Sequence, residues 1–118
     1  MSITVEPGDL PAEIVARGPG YLLSSVLDSR PHAAHLPFQV AAAEGQVELR
    51  ARVGRTTRAN CVQRPAVTLL WPPAEPGGHS LIVDGEARLD GDEHVIVTAV
   101  SAVLHRPAPE SPSGDSVP

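Results

Sequence analysis

The stretch from Val47 to Trp71 constrains the fold more than any other part of the chain, because its hydrophobic period changes repeatedly over a short distance. Val47, Leu49, Ala51 and Val53 alternate with Glu48, Arg50 and Arg52. That is the period of a half-buried strand, with apolar residues on one face and charges on the other. Gly54-Arg55-Thr56-Thr57-Arg58 ends the alternation. Arg58 to Arg64 reads as a short helix closed by Pro65, and Ala66–Trp71 (AVTLLW) as a mostly apolar strand of the central type. Strand, basic hydroxyl loop, short helix and buried strand therefore follow one another directly.

The loop suggests chemistry as well as topology. Backbone N–H groups at a helix N-terminus lack intrahelical partners and carry the positive end of the helix dipole. Arginine adds fork-shaped donors that match phosphate oxygens. Arg55, Thr56, Thr57 and Arg58 are therefore candidates to hold a phosphate, and a phosphorylated cofactor is the first functional hypothesis. The plainer reading of the same residues is a solvated turn.

The remaining segments read as strands joined by short turns. Residues 1–8 look loose or extended. Asp9-Leu10-Pro11 opens a short helix to about Arg17, stopped by Gly18-Pro19-Gly20. Tyr21 to Leu27 is a strand, Asp28-Ser29-Arg30 a turn, and His32 to Ala42 a second strand that hairpins onto the first. Glu44-Gly45 is the next turn. After Trp71, Pro72 to Gly78 is a loop and His79 to Leu89 a strand, with Asp84-Gly85 as a bulge or tight bend. Asp90-Gly91-Asp92 turns the chain into a long strand from His94 to His105. The fold class is mainly β (α+β), with about six mostly antiparallel strands and two short helices, and that spacing suggests a small closed barrel. Residues 1–106 are expected to form one domain, and 107–118, rich in Pro, Ser and acid, a disordered tail.

Composition removes several classes of function. The net charge is −5 and all nine basic residues are arginine. An acidic chain with no basic stripe argues against nucleic acid as the main partner. Without lysine there is no Schiff-base, P-loop or general-base lysine. The single Cys61 makes no internal disulfide, so a reducing compartment is expected. The N-terminal sequence lacks the basic and apolar regions of a secretory segment, and the longest mostly apolar run, Val95 to Leu104, is far shorter than the ~20 residues of a spanning helix. A cytoplasmic protein without a membrane partner is expected. Tyr21, Phe38 and Trp71 are the only aromatic residues of the Phe, Trp and Tyr types. The core must be aliphatic and small, so burial against a second subunit would help it.

Individual reactive residues give less. His32 and His35 are three apart on a strand and face opposite sides, and the five histidines show no ligand spacing; no metal site is expected. Trp71 reads as a packing or interface residue, and Cys61 as a small filler in its helix. Ser24, Ser25, Asp28 and His32 supply triad residue types without a nucleophile elbow, so no catalytic residue is assigned. Arg50 and Arg52 share a face that is either solvated or part of a groove between subunits.

In this order the segments GYLLSSVLDSRPHAAHLPFQV, LRARVGRTTRANCVQRPAVTLLWPP and SLIVDGEARL resemble the pyridoxamine 5′-phosphate oxidase-like, FMN-binding split-barrel family. The matching motifs are Asp28-Ser29-Arg30-Pro31-His32, Arg64-Pro65-Ala66-Val67-Thr68-Leu69-Leu70 and Val83-Asp84-Gly85-Glu86-Ala87, spread over about Gly20 to Leu104. The resemblance implies a split β-barrel that forms a homodimer, with FMN in the groove between subunits; the deazaflavin F420 is the alternative, and haem a further one. It places Arg55, Thr56, Thr57 and Arg58 at the phosphate, and the strand Leu36, Pro37, Phe38 and Gln39 beside the isoalloxazine ring, offering backbone groups to its polar edge. The chain lacks the C-terminal region with which the true oxidases grip pyridoxal phosphate, so the implied function is flavin-dependent oxidation or reduction of an unknown small molecule. A non-catalytic binder of flavin, F420 or haem, and a degenerate barrel acting as a structural or interaction module, are the alternatives. The loop Pro72 to Gly78 is expected as a wall or lid of the site.

Overall fold

A computed structural model describes residues 2–108 of the chain. In chain order the elements are β1 (Ser2–Thr4), α1 (Leu10–Arg17), β2 (Gly20–Ser24), β3 (His32–Leu36), β4 (Gln39–Ala43), β5 (Gln46–Arg52), α2 (Arg55–Gln63), β6 (Ala66–Trp71), β7 (Ser80–Asp90) and β8 (His94–His105). All eight strands belong to one antiparallel sheet, seven of them in the order β3-β2-β6-β7-β8-β5-β4 and β1 beside β8 off that path. β8 is long enough to pair with β5 along its first half and with β1 at its end. No helix among the described residues is long and apolar enough to cross a membrane. The tail expected over 107–118 lies, from residue 109 on, outside the described residues.

The sheet is curled but not closed, which corrects the closed barrel. Its two edges, β3 and β4, lie at opposite ends of the strand order, yet only Pro37 and Phe38 separate them along the chain. Leu36 and Gln39 can thus be at most roughly 11 Å apart. The sheet must curl until its edges meet, and a covalent bridge rather than a hydrogen-bonded ladder joins them. A strand expected to run unbroken from His32 to Ala42 is therefore two strands that pair with different neighbours: Leu36 with Gly20, and Gln39 with Arg50. Proline, which has no N–H to donate, stands at the change.

Other boundaries move for local reasons. The first strand of the hairpin stops at Ser24 instead of Leu27, because its partner is used up at His32. Residues 2–4, expected to be loose or extended, are extended and add a short strand against the end of β8. Glu44 and Gly45 both adopt positive φ, 54° and 78°, between paired Ala43 and Gln46. That is the signature of a two-residue type I′ hairpin turn. α2 starts at Arg55 and not Arg58, with extended Gly54 as its N-cap, so the expected loop is the helix's own first turn. The β-branched pair Thr56-Thr57 hid this start, since such residues favour helices poorly.

Inside the curl, alternate residues of every central strand are buried. Leu22, Leu49, Leu69, Leu81, Val83, Val95 and Val97 are fully enclosed. Each contributes about 1.5–3 kcal/mol by leaving water. α1 inserts Leu10 and Ile14 into this core beside β4, and α2 turns Thr57 and Cys61 toward β2 and β7. The expected bulge is present: the β7–β8 register shifts between Asp84 and Gly85. Gly85 is required there, because a Cβ would lie 2.5 Å from Val97 Cγ1 and 2.8 Å from the Thr98 carbonyl oxygen.

The outer face divides at that bulge. On one side, two parallel ion pairs reach from β5 across β8 to β7: Arg50 with Asp90 at 2.6 Å, and Glu48 with Arg88 at 2.9 Å. Both pairs run diagonally past Ile96, which stands opposite Arg50 on one neighbour and Arg88 on the other. On the other side, Tyr21, Leu70, Ile82 and Val103 stand in register across β2, β6, β7 and β8. They alternate with buried residues and so form an outward apolar row, half exposed, with Val100 69 % exposed nearby.

Candidate functional site

Where the sheet edges meet, a cleft of about 280 Å³ opens between the bridge and the neighbouring strands. Pro37, Phe38 and Gln39 form one wall; Arg50, Ala51, Arg52 and His94 form the rest. The register explains the assembly, since Gln39 pairs with Arg50 and Arg52 with His94. Pro37 and Phe38 belong to neither ladder, and no loop hydrogen bond among the described residues takes up their backbone groups. The bridge thus has main-chain polar groups available to a ligand, as buried or semi-buried polar groups require partners.

The arginines around the cleft have different states. Arg50 donates from Nε to Asp90 Oδ2 at 2.6 Å and from a terminal nitrogen to Gln39 Oε1 at 3.3 Å. That hydrogen bond, with the charge of Arg50, holds the Asp90 carboxyl below its ordinary pKa. Arg52 donates to Glu93 at 3.1 Å. Arg58 donates to the Gly91 carbonyl at 2.8 Å, and Val53 N–H to the Glu93 carbonyl at 2.9 Å. These two bonds pin the first turn of α2 against the β7–β8 turn, beyond the Arg52 and His94 end of the cleft. Arg55 and Thr56 are exposed there, and Arg55 has no hydrogen bond or ion pair among the described residues. The first intrahelical bond is Arg58 N–H to Gly54 O, and no side chain caps the N–H groups of the turn before it.

The expected site residues therefore fall into two adjoining groups. Pro37, Phe38 and Gln39 line the cleft, while Leu36 packs against the core. Arg55, Thr56 and Arg58 do not line it but follow closely in the chain after Arg52, which does; Thr57 is 2 % exposed and faces the sheet, leaving its N–H as its contribution to the turn. His94 and Asp90 were not singled out from sequence. Pairing the alternating strand against His94–His105 in antiparallel register is the signal that would have found them. The loop between Trp71 and Ser80, expected as a wall or lid of the site, supplies no residue to this cleft.

A larger hollow of about 470 Å³ lies elsewhere, on the outer face around Ser24, Ala66, Asp84, Glu86 and Val100. It carries two carboxylates and no arginine, the wrong sign for a phosphate. Burial pushes the Cys61 thiol pKa up, away from a reactive thiolate. Among the described residues no cluster of His, Cys, Asp and Glu could hold a metal ion.

No family model matches the chain. Over 68 residues it is 46 % identical to two uncharacterized proteins, Mb0449c of Mycobacterium bovis and MT0457 of Mycobacterium tuberculosis. The match takes in 52 % of this chain and 48 % of each relative, so the chain spans about half the length of the curated relatives it matches. Among solved structures, a candidate pyridoxamine 5′-phosphate oxidase from Listeria innocua superposes with a TM-score of 0.60 at 18 % identity, over 83 % of this chain and 96 % of that one. An FAD-binding protein from Mesorhizobium loti gives 0.56 at 15 % identity, over 88 % and 96 %. An F420 reductase gives 0.52 at 15 % identity, over 72 % and 86 %. Curled antiparallel sheet, open seam and two short helices together give this chain the split-barrel fold of the pyridoxamine 5′-phosphate oxidase-like proteins.

Proposed function

We propose that the chain binds a flavin, FMN in the first instance, and serves as a flavin-dependent oxidoreductase on a small molecule. The observation that carries this reading is the closeness along the chain of two chemically distinct features. A bridge with free main-chain groups, Pro37-Phe38, lines a cleft whose Arg52 wall leads, through Val53 and Gly54, into an uncapped, arginine-bearing helix N-terminus. An isoalloxazine ring needs a flat wall with donors and acceptors at its polar edge; Leu36 to Gln39 would provide these. A phosphate needs cationic forks and backbone N–H groups; Arg55, Thr56, Arg58 and the N–H groups of residues 55–57 would provide them. Arg58 would reach it by exchanging its bond to Gly91, and Arg55 needs no exchange. A bound flavin supplies two-electron chemistry at its ring, so the protein's task is orientation and electrostatics.

The cleft is smaller than a usual cofactor pocket of ~300–1,000 Å³. A second copy of the chain would supply the missing wall, and the apolar row Tyr21, Leu70, Ile82 and Val103 offers the surface on which it could dock. A homodimer follows as part of the proposal. The buried single Cys61 suits a reducing cytoplasm.

The test is titration of the purified protein with FMN, followed by the flavin absorption bands, with F420 and haemin in parallel. FMN is expected to bind near one per chain. Arg55→Ala with Arg58→Ala is expected to weaken it by several kcal/mol, at roughly 1.5–3 kcal/mol per charge-assisted hydrogen bond. Equal FMN affinity in that double variant removes the phosphate assignment. Preference for F420 over FMN keeps the ring site and changes the cofactor.

A further inference from the structure

Trp71 is buried, 1 % exposed, and lies directly behind the cleft wall. Its ring stands 5.5 Å from that of Phe38 at an interplanar angle of 56°. That tilted geometry is favourable for an aromatic pair. Three further contacts fix the indole. Nε1 donates to the Gly18 carbonyl at 2.8 Å, just beyond α1. The five-membered ring lies over Gly20, where a Cβ would come within 2.5 Å of Cε2 and 2.6 Å of Nε1. The Trp71 backbone pairs with Leu81 in the β6–β7 ladder. Arg17 braces the same corner, donating to the His79 carbonyl at 2.8 Å.

Phe38, by contrast, sits in the bridge where neither ladder holds it. Within the bridge the ring of Pro37 fixes one φ, while the ψ of Pro37 and both dihedrals of Phe38 have no ladder to hold them. The Phe38 side chain is an inward anchor that packs against the core, with its ring contact on Trp71. The aromatic pair therefore connects the rigid core to the segment whose main-chain groups face the cleft.

We propose that Trp71 is a positioning residue: through Phe38 it sets the bridge Pro37-Phe38 in the conformation that receives the flavin ring. The inference rests on the flavin reading of the cleft for its ligand, but the positioning itself is a property of the ligand-free chain. Trp71 is also the only tryptophan, so its emission reports on this one place.

The experiment compares the full-length wild type with Trp71→Phe and Phe38→Leu and with the double variant. FMN affinity, the flavin absorption bands and amide hydrogen exchange are measured in each. Trp71→Phe keeps an aromatic ring and loses the bond to Gly18; Phe38→Leu keeps bulk and loses the ring pair, and serves if Trp71→Phe fails to fold. Each single variant is expected to weaken FMN about tenfold, within what an aromatic pair contributes. The absorption bands are expected to shift, and the double variant to be no weaker than the weaker single. Exchange at Phe38 and Gln39 is expected to quicken while exchange in the central β7–β8 ladder stays unchanged. Unchanged affinity and bands in folded variants, or quickening spread evenly over the sheet, overturn the proposal. If the wild type binds no FMN, the flavin reading fails, and the exchange pattern alone decides whether Trp71 positions the bridge.

Discussion

The two halves of the outer sheet surface solve the same problem in opposite ways. On β5, β8 and the second half of β7, Glu48, Arg50, Arg88 and Asp90 form ion pairs that reach across β8, and these pairs flank Ile96. That surface is complete in water. On β2, β6 and the first half of β7, Tyr21, Leu70 and Ile82 point outward in one row, with the His35 ring stacked on Tyr21 at 4.7 Å. Exposed apolar side chains are ordinary singly, but a row in register across several strands marks a surface with a partner. The difference teaches that a single antiparallel sheet can be finished on one part of its face and left open on another, with a bulge at Asp84 and Gly85 as the border.

The largest expected effect tests the open half. Ile82→Arg places a charge in the middle of the apolar row and is expected to convert a dimer to monomers at micromolar concentration, read by light scattering. A wild type that is already monomeric removes the contrast between the halves. Next comes the border itself. Gly85→Ala drives a methyl against Val97 and the Thr98 backbone and is expected to cost about 1–3 kcal/mol in urea unfolding. A smaller loss would mean that the bulge relaxes freely and does not separate two rigid regions.

The charged half gives subtler signals. Asp90 has a lowered folded pKa, chiefly through its hydrogen bond from Arg50. Its contribution to stability is therefore fully present above the ordinary carboxylate pKa and is lost as pH falls through the lowered one. Acid unfolding of Asp90→Asn is expected to show less dependence on pH in that acidic window than the wild type; identical profiles would mean the pair is idle. The smallest effect belongs to Arg88→Ala, which breaks an exposed pair with Glu48 and a bond to Thr98. It is expected to cost roughly 0.2–1 kcal/mol and to leave assembly unchanged. A change in mass on Arg88→Ala would move the interface onto the charged half.

Much of this was legible before any coordinates. The alternation of Val47, Leu49 and Ala51 with Glu48, Arg50 and Arg52 correctly assigned both faces of β5, and Asp84-Gly85 correctly marked the bulge. Motif order correctly pointed to the split-barrel fold. What escaped was the break at Pro37-Phe38. Residues 32–42 read as one strand because both halves are extended; only their partners differ. The cleft escaped in part for the same reason: Gln39 and His94 are far apart in sequence and share a wall because both pair with β5.

The sequence by itself determined which segments extend, which face of each is apolar, where the chain turns and where glycine is unavoidable, because these depend on local backbone sterics and on side-chain period. Tertiary structure alone decided that the sheet stays open at a two-residue bridge, that Arg50, Arg52 and Arg58 have internal partners while Arg55 has none among the described residues, and that Trp71 stands behind Phe38. Those outcomes depend on strand pairing between distant segments, and pairing is fixed by the closure of the whole sheet and by nothing within one segment.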